Sequence, residues 1–355
     1  MSGDVTLKEV AAEAGVHVST ASRALNPETR SVVNDQTAIR VLEVAEQLGY
    51  RPHPLARGLR TNRTLTVGMV VPDLMNPLFP PIYSGADAVL GDLGYSVLVA
   101  SDDGDSSKTR GVIATLLDRR VDGLILANAH RDFDRPAGRE TVPIVLVNRS
   151  VESKAFPAIV GDGYTGIGLV VRHLTDLGHT EIAHIAGPRD ISTGLNRRQA
   201  FSDWISREGL VARRELIVEA NAYRTDAGRT ACETLLDSGA PFTAIVAAND
   251  LIALGCYDVL GEHGLSVPGD VSVTGYNDMT FIDRVAPPLT TVAVPYREMG
   301  AAAARTLLDL LTGADGAPSP FEPVALAPEL IVRASTSAPS TSAPSTSAPS
   351  TSAQK

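Results

Sequence analysis

The sequence predicts a multidomain protein, in which a small all-α head with a helix-turn-helix pattern precedes a large α/β body of two lobes. A chain of 355 residues is too long to form one ordinary hydrophobic core. Residues 1–49 carry apolar side chains at helical spacing, whereas residues 64–333 alternate strand-length apolar runs with helix-length amphipathic segments. Such alternation predicts parallel sheets with helices on both faces, and its division into two series predicts two lobes with a cleft between them.

The composition excludes several classes of protein. Hydrophobic residues make up 44% and charged residues 20% of the chain, as in soluble globular proteins. The longest apolar runs have the length of strands, and the N-terminus lacks a secretory signal pattern, so we expect a cytoplasmic protein without a membrane partner. The two cysteines, Cys232 and Cys256, lack metal-ligand spacing, which argues against a disulfide framework and a zinc site. No metal or other cofactor is expected.

The charge is unevenly distributed along the chain. The net charge is −10, yet residues 1–63 hold eight Lys and Arg against seven Asp and Glu, which leaves 23 against 34 on the remainder. From Gln47 to Arg63 there are four arginines and no acidic residue. A local basic face of this kind can bind phosphate even on an acidic protein.

Two short helices joined by a turn are predicted at the start of the head. Thr6 and Glu9 have the spacing of a capping box, and Gly15 ends the helix that they begin. In the second helix, the apolar positions between Val18 and Leu25 recur at intervals of three and four. This is the helix-turn-helix pattern, in which the second helix enters the major groove of DNA.

A third helix is predicted between an Asn34 cap and a Gly49 stop. Its expected apolar positions are Ile39, Leu42, Ala45 and Leu48. The alternative to a DNA-binding head is a small bundle used for packing or dimerisation, but the small polar residues on the outer face of the second helix suit base edges and phosphates better. Arg23 is the best candidate for a bidentate contact with guanine.

Residues 53–63 separate the head from the body. Two leucines four residues apart share one face of a helix of about six residues, which is marginal alone in water, and Gly58 weakens it by roughly 1 kcal/mol more. We therefore expect the helix to form only against a partner. With DNA as that partner, Arg57 and Arg60 would meet phosphates or the minor groove, and Leu59 would wedge between base pairs. The alternative is an ordinary linker.

Five segments resemble the head and hinge of the lactose/galactose-repressor family. They are Val5–Ala11, Gly15–Val16, Ser19–Asn26, Leu48–Pro52 and Leu55–Thr61. The resemblance continues in order to about Arg333. The chain departs from it at His17, where the family usually has a serine that caps the second helix, so the resemblance alone does not supply that cap.

The resemblance implies roles for the head residues. Val18 and Ser19 would help to choose bases, Arg23 would read a base edge, and Thr20 and Asn26 would hold the DNA backbone. The DNA-contacting residues expected in the head and hinge are Thr6, Val18, Ser19, Thr20, Ser22, Arg23, Asn26, Arg57, Leu59 and Arg60.

Nine strand-like runs are expected in the body. They are 65–71, 95–100, 123–127, 144–147, 181–186, 216–220, 244–248, 271–275 and 324–332. The resemblance implies the two-lobed fold of the periplasmic sugar-binding proteins (type I), with the chain crossing between lobes near Gly161, Val292 and Pro320. The expected boundaries are 1–49 for the head, 50–63 for the hinge, about 64–161 and 293–320 for lobe 1, about 162–292 and 321–333 for lobe 2, and 334–355 for a disordered tail of Ser-Thr-Ser-Ala-Pro repeats.

One enzyme motif has to be weighed. Residues 161–166 match G-x-G-x-x-G after an apolar run, which suggests a nicotinamide-dependent enzyme. The motif lies in the middle of the chain at the expected lobe crossing, where glycines have the simpler use of letting the backbone turn. His173, His179 and His184 lie near one another, but their spacing fits no metal-binding helix, and surface or helix-end histidines are the simpler interpretation.

Ligand-binding residues are expected in the loops that follow strands, because ligands of open α/β sheets gather at the carboxyl ends of the strands. The candidates are Asn76, Phe79, Asn148, Arg197, Asn249 and Asn277, several of which could instead be helix caps. The resemblance implies that an aromatic ring such as Phe79 stacks on the effector and that Arg197 and Asn249 hold its polar groups. Asparagines stand at 148 and 277, where sugar-responsive relatives commonly have aspartates, so a neutral sugar is the first expectation and a purine-like or anionic metabolite the second.

These observations predict a transcriptional regulator, most simply a repressor, whose affinity for DNA is controlled by a small molecule. Two recognition helices are needed for a pseudo-palindromic operator, so a homodimer is expected, with the outer helices of the lobes as its interface. The alternatives are a cytosolic small-molecule-binding protein and a nicotinamide-dependent enzyme. No catalytic residue is expected.

Overall fold

The computed structural model describes residues 5–26, 29–50, 63–134, 142–313 and 320–340. The chain forms two compact units, Met1–Leu65 and Thr66–Lys355. Among the described residues, no helix is long and apolar enough to cross a membrane.

The head contains three helices around a small core. The elements are α1 (Leu7–Glu13), α2 (Val18–Ala24), a 3-10 turn (Arg30–Val32) and α3 (Asp35–Gln47). The predicted capping box is present, because Thr6 accepts from the Glu9 amide while the Glu9 carboxylate accepts from the Thr6 amide at 2.6 Å. Six of the eight core side chains are alanines, which allow the short helices to pack closely.

The predicted apolar face of α3 was partly wrong. Ala45 is buried, but Ile39, Leu42 and Leu48 are exposed, and Ala38 and Val41 take their place in the core. The buried face of α3 is shifted by one residue from the predicted face. Small side chains at 38 and 41 fit against the alanines of α1 and α2.

Lobe 1 is built on one parallel sheet of six strands in the order β11-β5-β4-β3-β1-β2. Its elements are β1 (Thr66–Val71), α4 (Phe79–Gly91), β2 (Ser96–Ser101), α5 (Ser106–Asp118), β3 (Gly123–Leu126), β4 (Ile144–Val147), β5 (Ala158–Gly161), α10 (Tyr296–Thr312) and β11 (Val324–Leu326). The inner strands β3 and β4 are buried along their whole length, as expected for a sheet covered on both faces.

Lobe 2 has a parallel sheet of four strands in the order β7-β6-β8-β9. Its elements are α6 (Gly163–Asp176), β6 (Ile182–Ala186), α7 (Ser192–Arg207), a 3-10 turn (Arg214–Leu216), β7 (Ile217–Glu219), α8 (Thr225–Asp237), β8 (Ala244–Ala247), α9 (Asp250–Glu262) and β9 (Ser272–Thr274). The first eight predicted runs thus form strands β1–β4 and β6–β9, with ends within one residue of the prediction, whereas β5 was not predicted.

The last predicted strand, 324–332, is two strands in different sheets. Val324–Leu326 (β11) pairs with β5 in lobe 1, whereas Glu329–Ile331 (β12) pairs antiparallel with β10 (Thr291–Ala293). The third crossing between lobes therefore lies at residues 327–328, where Pro328 interrupts the run, and not near Pro320. Residues 321–326 consequently belong with lobe 1.

The start of the tail is ordered, contrary to the prediction for 334–355. Ser335 is fully buried, and its hydroxyl donates to the Val273 carbonyl at 2.6 Å and accepts from the Thr290 amide at 2.8 Å. The Ser337 carbonyl accepts from the ring of His179 at 2.9 Å. The first repeat therefore forms hydrogen bonds along the edge of β9. The repeats at 341–355 lie outside the described residues.

Two glycines allow α4 and α10 to pack backbone against backbone. A Cβ atom at Gly85 would overlap the Arg297 carbonyl oxygen, and one at Gly300 would overlap the Ile82 carbonyl oxygen. Neither clash can be relieved by a side-chain movement. This contact fixes α10 in lobe 1 after the chain has returned from lobe 2.

Candidate functional sites

Helix α2 presents a polar outer face on the head. Ala21 and Ala24 are buried against α1 and α3, while Ser19 and Arg23 are exposed and Thr20 and Ser22 are partly exposed. Among the described residues, no carboxylate forms an ion pair with Arg23. The guanidinium is therefore available for an outside acceptor.

His17 takes over the cap that the family resemblance did not supply. Its ring Nδ1 accepts from the Ser19 amide at 3.3 Å and lies 2.8 Å from the Ser19 hydroxyl. Gly15, in the left-handed region at φ 63°, makes the turn that places His17 before the helix. The turn and the cap leave His17 and Ser19 exposed at the N-terminus of α2.

The structure describes the seven head residues predicted to contact DNA, and none of them is fully buried. Thr6 caps α1, and Val18, Ser19, Thr20, Ser22 and Arg23 follow one another along α2, with Asn26 just beyond it. Arg57, Leu59 and Arg60 fall outside the described residues, so their roles stay predictions.

A cavity of about 380 Å³ lies between the two lobes. It is lined from lobe 1 by the loops after β1, β2, β3 and β4, and from lobe 2 by the start of α7 and the loops after β7, β8 and β9. The carboxyl ends of strands from both sheets thus converge on it, as open α/β sheets predict.

All six predicted ligand-binding residues line this cavity: Asn76, Phe79, Asn148, Arg197, Asn249 and Asn277. Arg197, on α7, is 6% exposed, and its Nη1 donates to the Ala248 carbonyl at 2.6 Å. Its guanidinium carbon lies 3.6 Å from the centre of the Tyr276 ring. These contacts hold the arginine rigidly at the bottom of the cleft.

Of the asparagines that could be helix caps, Asn249 is one, and it lines the cavity as well. Asn249 caps α9, since its Oδ1 accepts from the Ile252 amide at 2.9 Å. Asn148 and Asn277 instead follow strands in left-handed backbone conformations, at φ 67° and 122°. Such conformations are uncommon for residues with a Cβ, and asparagine tolerates them better than most.

Sequence reasoning missed a buried polar network on the lobe 1 wall. The Asp102 carboxylate accepts from the Thr109 hydroxyl at 2.6 Å, from the Gly104 amide at 3.2 Å and from the Asn128 side-chain amide. Arg149 donates from Nη1 to the Asn128 carbonyl at 3.0 Å, and burial lowers the pKa of this arginine. Asp102 and Asn128 follow β2 and β3, so the rule that selected Asn76 and Asn148 could have found them.

The two walls of the cavity touch each other at its rim. The His130 ring lies 3.0 Å from the Asp190 carboxylate, and the Arg131 amide donates to the Asp190 carbonyl at 3.0 Å. The Ser150 amide donates to the Ser192 hydroxyl at 2.9 Å. These contacts join the β3 and β4 loops of lobe 1 to the β6–α7 loop of lobe 2, so any change in the lobe arrangement must alter them.

The glycines of the G-x-G-x-x-G match serve packing. A Cβ at Gly166 would overlap the Tyr276 hydroxyl, and one at Gly161 would press on Val294 at 3.0 Å. Gly161, Gly163 and Gly166 all lack positive φ values, so the expected use in turning the backbone was wrong. The motif allows α6 to approach the lobe 2 sheet closely.

The interpretation of the three histidines as surface or helix-end groups holds for His173, in the last turn of α6, but needs correction for the other two. His184 is fully buried in β6, stacked on Phe201 at 4.6 Å, and burial lowers its pKa to about 4. His179 is buried against the ordered tail, and burial lowers its pKa as well. Within the described ranges, no cluster of His, Cys, Asp or Glu could hold a metal ion.

Comparison with known proteins gives a consistent result over the whole chain. Residues 6–53 match the sequence profile of the bacterial regulatory proteins, lacI family, and residues 171–336 that of the periplasmic binding protein-like domain. The transcriptional regulator DegA of Bacillus subtilis (strain 168) is 32% identical over 337 residues, which cover 94% of this chain and 98% of DegA. The chain belongs to the lacI family.

Solved structures of lacI-family proteins agree with the fold. The Lac repressor dimer bound to operator and the anti-inducer ONPF superimposes with a TM-score of 0.82 at 28% identity, over 95% of this chain and all of that one. The regulator CelR in complex with cellobiose gives 0.71 at 31% identity, over 93% of this chain and 99% of that one. These relatives are transcriptional regulators and not enzymes. The predicted head and two-lobed body, and the predicted function of a DNA-binding transcriptional regulator with an effector domain, are confirmed.

Proposed function

We propose that this lacI-family chain is a homodimeric repressor that binds a pseudo-palindromic operator through α2. A sugar-like metabolite in the cavity lowers or raises its affinity for that operator. The observation that carries the proposal is the combination, in one chain, of a helix with an exposed polar face and an interlobe cavity lined from both lobes. The operator lies in the cytoplasm, so we place the protein there. With no catalytic group assigned to the cavity, we propose binding and not an enzymatic reaction.

DNA recognition is assigned to the outer face of α2. The exposed Ser19 and Arg23 suit base edges, with Arg23 placed to reach guanine N7 and O6, while Thr20, Ser22 and Asn26 hold phosphates. Thr6, at the N-terminus of α1, adds a phosphate contact. Val18 contributes an apolar contact that suits a thymine methyl group.

The hinge is assigned the role of a switch. Arg57 and Arg60 supply positive charge and Leu59 an apolar wedge, so DNA and the second hinge of a dimer would order a helix that is marginal alone. An effector can change operator affinity only by binding two lobe arrangements with different affinity. The rim contacts between lobes, such as that of His130 with Asp190, would have to change between such arrangements.

A dimer interface is proposed at the edge of the lobe 1 sheet, in place of the outer helices expected from the sequence. Strand β2 is the edge strand, and its Leu98 and Val99 are exposed. Leu74 and Met75 lie in the loop beyond β1, beside the end of β2, and Met75 is 87% exposed. An unpaired edge with apolar side chains is the kind of surface that proteins cover.

The proposal is tested by selecting binding sites for the full-length chain from a pool of random duplexes. Recovery of two inverted half-sites, with an affinity that falls steeply as salt concentration rises, is expected because each arginine–phosphate contact releases counterions. Arg23→Ala should relax the choice at one base pair per half-site and cost about 1–3 kcal/mol. Enrichment of no two-fold sequence would refute the operator assignment.

A further inference from the structure

The deepest part of the cavity offers hydrogen-bond donors and almost no acceptors. Asn249 and Asn277 are 1% and 5% exposed, and both line the cavity beside Arg197. Oδ1 of Asn249 is taken by the Ile252 amide, and a backbone N–H can only donate, so the orientation of this side chain is fixed. Its remaining group is the amide nitrogen, which is a donor.

Asn277 has the same orientation for a different reason. The Tyr296 hydroxyl donates to Oδ1 of Asn277 at 2.6 Å. This oxygen is therefore occupied by a partner within the protein, as Oδ1 of Asn249 is. The amide nitrogen of Asn277 is again the group left for a ligand. The same holds for Asn76, because its Oδ1 accepts from the Leu78 amide at 3.1 Å and its amide nitrogen remains.

Arg197 itself lacks a counter-charge. Among the described residues, no carboxylate oxygen lies within ion-pair distance of its guanidinium, which contacts the uncharged Ala248 carbonyl and the Tyr276 ring. A buried cation without an anion is costly, and so is an amide donor without an acceptor. A ligand that supplies both is therefore favoured over one that supplies neither.

The acidic residues of the cavity do not fill this role. The Asp103 and Asp190 side chains are mostly exposed and pair with Lys108 and His130. Asp73 is partly exposed and accepts from the Met75 amide at 2.8 Å. Asp102 is buried but already accepts from three donors of lobe 1. Acceptors for ligand hydroxyls are thus found toward the rim, and donors at the bottom.

We infer that the effector carries an oxyanion, a carboxylate or a phosphate, which binds Arg197 between the side-chain amides of Asn249 and Asn277, while its hydroxyl groups face the acidic rim. This inference rests on the proposed function of the cavity as the effector site. It narrows the sugar-like effector to an acidic or phosphorylated sugar, because a neutral polyol would leave its hydroxyl protons without acceptors at the donor-rich end.

The test compares ligands that differ only in charge, by thermal shift and calorimetry on the full-length protein. The pairs are glucose with glucuronate, glucose with glucose 6-phosphate, and ribose with ribose 5-phosphate, with inorganic phosphate as a separate probe. We expect at least tenfold tighter binding of one anionic sugar than of its neutral counterpart, and a rise in melting temperature with inorganic phosphate. Comparison of glucuronate with the sugar phosphates shows whether the oxyanion is a carboxylate or a phosphate. Equal or tighter binding of the neutral sugars overturns the inference. So does the lack of any shift with all the anions.

Two isosteric variants add an acceptor at the bottom of the cavity. Asn249→Asp keeps the helix cap, because aspartate caps as well as asparagine, and Asn277→Asp keeps the acceptor for Tyr296. Each should weaken binding of the anion, including inorganic phosphate, at least tenfold. The control is Gln199→Glu, the same amide-to-carboxylate change at an exposed position of α7 that does not line the cavity, which should change binding less than threefold. Equal weakening by all three variants overturns the inference. Selection of a palindromic operator without ligand tests the proposed function separately. Its result does not depend on the ligand-binding measurements or on the variants.

Discussion

Burial of Asp250 makes a measurable prediction about stability and pH. This carboxyl group lies beneath the cavity, where Oδ1 accepts from the Thr291 hydroxyl at 2.5 Å and Oδ2 from the Met279 amide at 2.8 Å. Burial raises its pKa from 3.8 to about 6, with a further contribution from the nearby Asp278. Between these two values the folded protein holds a proton that the unfolded chain has lost. The contribution of Asp250 to stability is therefore greatest at low pH and decreases as pH rises through this window.

The size of the effect follows from the shift. About two pKa units at 1.36 kcal/mol each correspond to about 3 kcal/mol in all, of which roughly 1.4 kcal/mol falls between about pH 5 and about pH 7.5. An asparagine side chain at this position cannot titrate, and its amide nitrogen could donate to the Thr291 hydroxyl while its oxygen accepts from the Met279 amide. Asp250→Asn should therefore remove this pH dependence.

The assay is urea unfolding of the body at the two pH values, and the quantity compared is the pH-dependent loss of unfolding free energy in wild type and variant. The buried histidines titrate in both proteins, so the difference between the proteins isolates Asp250. Asp309→Asn, at an exposed position of α10, serves as the control and should leave the wild-type profile unchanged. A wild-type loss no larger than that of Asp250→Asn would refute the reasoning.

Three further predictions concern packing, the head and the hinge. Gly300→Ala should destabilise the body by about 1–3 kcal/mol, because its Cβ would overlap the Ile82 carbonyl, whereas Gly91→Ala, with open space around it, should be neutral or slightly stabilising in thermal unfolding. His17→Ala should weaken the cap of α2 by about 1 kcal/mol and speed amide exchange in that helix, and His17→Ser should restore protection; no difference between the two variants would contradict the cap. Leu59→Ala should weaken operator binding much more than ligand binding in parallel titrations, and an equal loss of both would rule out a wedge in DNA.

The sequence predicted the strands of the body well because parallel strands buried on both faces leave continuous apolar runs. Ile144–Val147 was predicted to the residue, and Ala244–Ala247 to within one. The same signal failed at 324–332, where an apolar run continues through a change of sheet and only Pro328 marks the break. Periodicity also misplaced the buried face of α3, since alanine at 38 carries too weak a signal to compete with Ile39.

Four of the six cavity residues, Asn76, Asn148, Asn249 and Asn277, were found because a strand end is visible in sequence and a polar residue follows it. Arg149 and Asn128 also follow strand ends and line the cavity, so the same rule would have included them. The donor-only character of the cavity bottom could not be predicted. It depends on which atom of each asparagine is occupied by Ile252 or Tyr296, and those partners come from elsewhere in the fold.

The ordered first repeat of the tail shows a different limit. Ser335 and Ser337 belong to a low-complexity segment whose composition predicts no packed structure. The β9 edge and the loop at Thr290 present unpaired backbone groups that these residues satisfy. The order of this segment is therefore a property of the surface it covers.

The most direct test of the account is the coupling between the cavity and the operator. Fluorescence anisotropy would measure the affinity of the full-length protein for a selected palindromic duplex, with and without saturating amounts of the anionic ligand found by thermal shift. The account predicts at least a tenfold change in operator affinity, with a reciprocal change in ligand affinity when DNA is bound, and loss of the effect in Asn277→Asp at the same ligand concentration. An operator affinity that stays the same while the ligand saturates the cavity would contradict it.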